Sequence, residues 1–176
     1  MKNLAAASGF LLLSTLAAFA QSGRPPSCGM FQSTFIRETN EVSAAFVRPL
    51  VVSRNASRSD FFDLVTNVRI DGLLECQGDA LVRFEVKIGL PTDAATMAKF
   101  EQVQTAAVRA GLGWAPARAS TAVATMSREA ENYLRASRQR GDHVVAGKTE
   151  YHEGGADLGM IWTASDRTLV IVGSGL

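Results

Sequence analysis

Histidine stands only at positions 143 and 152, cysteine only at 28 and 76, and lysine only at 2, 87, 99 and 148. Metal sites and dithiol chemistry show themselves by spacing, and H-x-H, H-x-x-x-H and C-x-x-C are all missing. Neither sign of charge is in excess, since 18 basic residues face 17 acidic ones. A balanced surface has no electrostatic reason to wrap nucleic acid or to coat an anionic membrane. There is no G-x-S-x-G, and Gly111-Leu112-Gly113 lacks the further glycine or lysine of a phosphate loop. No repeat or low-complexity tract divides the chain. These absences lead us to expect no cofactor, no metal and no nucleic-acid partner. A protein, a peptide or a small molecule remains as the ligand class.

The one long hydrophobic run lies at the start. Met1-Lys2-Asn3 is followed by an apolar stretch from Leu4 to Ala20, centred on Phe10-Leu11-Leu12-Leu13 and closed by Ala18-Phe19-Ala20. A basic start, an apolar centre and an A-x-A end are the parts of a secretory signal peptide. Ser14 and Thr15 interrupt the run, and no basic cluster follows it, as a spanning anchor would need. Cys28 lies too far downstream for lipid attachment. The sequence therefore divides into a signal peptide, 1–20, a flexible mature N-terminus, 21–27, and a single globular domain, 28–176. After cleavage no membrane span is expected. Lys2 is the only charge removed, so 17 bases balance 17 acids in what remains. Arginine in place of lysine and abundant alanine suit a GC-rich bacterial genome, which makes the destination periplasmic or extracellular. An exported chain with two cysteines pairs them, so a Cys28–Cys76 disulfide is expected.

The most legible stretch runs from Leu73 to Ala110. Val82, Phe84, Val86 and Ile88 alternate with Arg83, Glu85 and Lys87, which is the period of a half-buried strand. Gln77-Gly78-Asp79 is turn chemistry, so Leu73–Cys76 should pair with that strand. After Pro91, Thr92 caps a helix that buries Met97, Phe100, Val103, Ala107 and Ala110 and ends at Gly111. A longer helix follows from Pro116 to Arg140. It buries Ala119, Ala122, Val123, Met126, Ala130, Tyr133 and Leu134, carries Glu131 and Arg135 at i,i+4, and stops at Gly141.

Upstream the pattern is harder to read. Phe31 and Phe35 are expected anchors. Thr39 is read as the cap of a short helix bringing Val42, Ala45 and Phe46 to the core. Phe61, Leu64, Val65 and Val68 fall on one helical stripe ending at Gly72, with a strand over 64–74 as the alternative. Downstream, strands are expected over 143–151, 158–162 and 168–172. The last is an unbroken apolar run of the kind buried on both faces. The fold class is α+β: an antiparallel sheet of about five strands covered on one face by two main helices, after an N-terminal helical segment.

His152-Glu153, with Tyr151 beside them and Asp157 further on, is the densest polar group. It reads first as a solvated turn. The chemical reading is a metal or acid–base site, but adjacent strand residues face opposite ways and no further ligand stands nearby. His143 or His152 could complete a hydrolase triad only if the fold supplied a nucleophile. Trp114, Phe61 and Phe62 could line an apolar groove for a peptide or lipid. The expected function is therefore a small exported binding or accessory module. An envelope hydrolase centred on a histidine and a carrier of apolar ligands are the alternatives.

Overall fold

A computed structural model describes residues 26–40, 42–48, 59–142, 146–153 and 156–173. The expected leader, residues 21–25 and His143 lie outside them. The elements run α1 (Cys28–Glu38), β1 (Ala44–Val47), β2 (Asp60–Thr66), β3 (Ile70–Gln77), β4 (Ala80–Gly89), α2 (Ala94–Leu112), α3 (Pro116–Arg140), β5 (Gly147–Glu153), β6 (Ala156–Trp162) and β7 (Asp166–Gly173). All seven strands form one antiparallel sheet in the order β1-β2-β3-β4-β7-β6-β5. The fold is α+β as expected, with seven strands where about five are expected and two main helices preceded by an N-terminal helix, α1.

The differences lie before Leu73. The N-terminal helix covers 28–38, and Thr39 closes it: its backbone N–H bonds the Phe35 carbonyl. Val42 stays buried, but Ala45 and Phe46 belong to a strand. Phe61, Leu64 and Val65 of the expected helical stripe also lie in a strand, β2, and Val68 falls in the bend before β3, which also breaks the alternative strand over 64–74. Aromatic and β-branched residues suit a pleated surface, and cross-strand partners on β1 and β3 outweigh a local helical spacing. Ser57-Arg58-Ser59-Asp60 also has the spacing of a helix capping box, but Ser57 and Arg58 lie outside the described residues.

The hairpin β3–β4 forms as expected, with one irregularity. Glu75 pairs with Arg83, but the next residue, Cys76, pairs with Leu81, so Val82 is bulged out of register. Parity therefore reverses at this end of β4. Leu81, not Val82, joins Phe84, Val86 and Ile88 in the core and is fully buried. The bulge places Leu81 opposite Cys76, whose sulfur bonds Cys28 at the start of α1. The expected disulfide thus ties the first helix to the third strand. Beyond it Phe31 and Phe35 pack on Phe84, with centroids 4.9 and 5.3 Å away.

Both later helices form where expected, α3 over Pro116–Arg140 and α2 with shifted ends. Asp93, not Thr92, caps α2, its carboxylate accepting from the Thr96 N–H at 2.8 Å. Gly113, at φ 66°, ends it. Gly111 lies inside the helix, where a Cβ would come within 3.0 Å of Ile171. Gly141, at φ 72°, stops α3 as read, and the Glu131–Arg135 pair is present at 3.3 Å. Tyr133, expected on the buried face, is 57% exposed.

The helices all pack on one face of the sheet. There Leu74, Phe84, Val86, Leu158, Met160, Leu169 and Ile171 meet Phe100, Val103, Ala107, Ala119, Val123 and Met126. No described helix covers the other face. β7 lies inside the sheet, and Thr168, Leu169 and Ile171 are buried, while Val172 is 39% exposed. Its apolar run is not buried on both sides, because only one layer of helices exists.

Candidate functional site

β5 and β6 form a hairpin in which His152 stands directly opposite Asp157. Their side chains meet on the helix-free face, with the ring Nδ1 2.8 Å from an Asp157 carboxylate oxygen. This hydrogen bond, followed by the charge of Asp157 and then that of Glu150, holds His152 above its ordinary value. On the same row of β5, Lys148 pairs with Glu150, whose carboxyl is held below its usual range by that contact. Alternation turns Tyr151 to the opposite, helix-bearing face. The sequence-predicted group is thus split: His152 and Asp157 come together, and Tyr151 points away. The Glu153 side chain and His143 lie outside the described residues.

A carboxylate on Nδ1 is one half of an acid–base relay, since it orients the ring and favours its protonated form. The other half would be a hydroxyl or thiol near the remaining ring nitrogen. The hydrogen bond described for His152 goes to Asp157 and not to such a group. Among the described residues no cluster of three or more His, Cys, Asp or Glu could hold a metal ion.

Tyr151 contributes to a second arrangement. Gly113 ends α2 and Pro116 starts α3, which leaves Trp114 at the corner between them. The Trp114 ring is buried and meets Tyr151 edge-on, with centroids 5.3 Å apart at 90°. One helical turn on, the Arg118 guanidinium lies over the Trp114 ring, 4.2 Å from its centroid. Farther along α3, the Glu129 carboxylate accepts a 2.9 Å hydrogen bond from the Thr149 hydroxyl of β5. Between these ties runs a groove of about 600 Å³, floored by Ala122 and Met126 and walled by Trp114, Arg118, Thr149 and Tyr151. Its size is that of a small-ligand or side-chain site, which spans roughly 300–1,000 Å³. The Trp114 indole N–H is buried beside it with no hydrogen-bond partner among the described residues.

A larger groove, about 870 Å³, lies between α2 and α3. Short helix side chains such as Ala98, Ala106 and Ala124 line much of it, and its Arg109 is already paired with Glu38. It offers no aromatic surface and no strand edge. The β5 groove offers both. Phe61 and Phe62, considered together with Trp114 on sequence grounds, sit on β2 at the opposite end of the sheet. Sequence reasoning singled out Trp114 and Tyr151 separately. It missed Arg118, Thr149 and Glu129, for which only the i,i+4 spacing from Trp114 to Arg118 gave a signal.

No family model matches the chain, and neither a curated protein nor a solved structure matches it. No described helix is long and apolar enough to cross a membrane.

Proposed function

We propose that this protein is an exported, disulfide-stapled binding module whose ligand seats in the groove between the N-terminal half of α3 and β5. The observation that carries the reading is the groove itself. It places an apolar floor between two ties, the Trp114–Tyr151 ring pair and the Thr149–Glu129 hydrogen bond. Such a surface suits an apolar or aromatic group of a peptide or small molecule, with Arg118 and Glu129 at the rim to orient polar ends. The disulfide is compatible with an oxidising compartment, as export through residues 1–20 would require.

A fragment library screened by amide chemical shifts tests the groove. Bound fragments should perturb Trp114, Thr149 and Tyr151, and Thr125→Arg, which fills the groove, should abolish those shifts. Shifts that ignore this substitution would refute the site. Export has its own test. The secreted protein should begin at Gln21 when its N-terminus is sequenced, and retention of Met1 would refute it.

One observation favours a second reading, a hydrolase. The His152–Asp157 pair has the geometry of a relay. An activity screen that lost its turnover in both His152→Ala and Asp157→Asn would replace the binding reading with this one. The carrier reading fits less well, because the cavities described are grooves between elements and not enclosed apolar chambers.

A further inference from the structure

β5 ends the sheet, and no described strand pairs with its outer edge. Residues 154 and 155 alone separate it from β6, so Glu153 and Ala156 close the hairpin as a hydrogen-bonded pair. That phase alternates. Gly147, Thr149 and Tyr151 bond β6, while Lys148, Glu150 and His152 direct their backbone N–H and C=O groups to the open edge. The side chains of these same three residues stand in one row on the helix-free face, with charges positive, negative and, when His152 is protonated, positive. An edge strand with a single lysine is guarded against most partners. Here the guard is matched two residues away by an acid, so the strand is complementary to itself.

Antiparallel pairing of two such strands about a two-fold axis has few registers. The fully overlapped one sets Glu150 against its own copy and is opposed by like charge. A shift of one position moves the axis to Thr149 and sets Lys148 against Glu150 twice. We propose that two copies of this chain associate through β5 in that register, joining their sheets into one. The outward backbone groups of Lys148 and Glu150 then form the ladder between copies. Thr149 faces Thr149 across the axis. Tyr151 of each copy comes opposite Gly147 of the other, beside the stretch of α3 that leaves Tyr133 in solvent. The pairing does not rest on the groove reading, because a monomer could still bind fragments there.

Sedimentation of the mature chain over a concentration series tests it, with the thermal midpoint as the control for folding. Wild type should pass from monomer to dimer. Lys148→Glu and Glu150→Lys should each weaken association about tenfold, because both symmetry-related pairs become repulsive. The double reversal K148E/E150K should restore it. Glu150→Pro should abolish dimerisation and leave the fold intact, since the lost N–H serves only the open edge. Thr149→Cys should cross-link between copies under mild oxidant. A monomer at every concentration, single reversals without effect, or a double reversal that fails to restore the dimer would each overturn the proposal.

Discussion

Gly147 and Ala130 touch backbone to backbone. A Cβ built on Gly147 would collide with the Ala130 carbonyl and with the start of the next helical turn at Leu134. This contact sets how closely α3 lies on the edge strand, and so sets the floor of the groove. Gly147→Ala should therefore force α3 off β5 and cost about 3 kcal/mol in urea unfolding. Gly159→Ala is the control. Its Cβ would meet nothing nearer than the Val170 carbonyl at 4.0 Å, and the change should stay within about 1 kcal/mol. Equal losses at the two positions would mean that the backbone contact is not what matters.

The disulfide closes a span of 48 residues between α1 and β3. Restricting the unfolded chain by that span corresponds to about 4 kcal/mol on the loop-entropy model. Reduction, or the double change C28S/C76S, should lower the urea midpoint accordingly. Intact mass after alkylation should rise by two labels only when reductant is added. Labelling of both thiols without reductant would contradict the bridge.

The bulge at Val82 makes an asymmetric prediction. Leu81→Ala removes a fully buried side chain beside Cys76 and should cost about 3 kcal/mol. Val82→Ala should cost about 1 kcal/mol or less, although simple alternation ranks it the more buried of the two. The reverse order would place the strand in its unbulged register.

His152 supplies a pH test. Its pKa is raised in the folded chain by the Asp157 hydrogen bond, so the folded state binds the proton more tightly than the unfolded state does. The stabilisation is complete below the ordinary value of 6.5 and disappears as pH rises through the folded value. Asp157→Asn should return the NMR titration of His152 towards 6.5 and remove the pH dependence in that window. A titration unchanged by Asp157→Asn would show that the pair does not form in solution.

The chain's own residues determined a good deal. Alternation fixed β4, and helical spacing with Gly141 and Pro116 fixed α3, because each signal spans many residues and none competes with it. The disulfide followed from two cysteines in a chain whose first twenty residues have the pattern expected of an export leader. The segment from Phe61 to Val68 was different. Its apolar spacing fits a helix as well as a strand, and only the ladders to β1 and β3 decide between them. The bulge at Val82, the exposure of Tyr133 and the single covered face of β7 were likewise invisible, since each depends on what lies across from the residue. The groove needed the fold most of all. Trp114 and Tyr151 are far apart along the chain, and they meet because Gly147 lets the last strands of the sheet close against α3. Local periodicity can set which residues are helix or strand, but contact between distant residues is decided by packing alone.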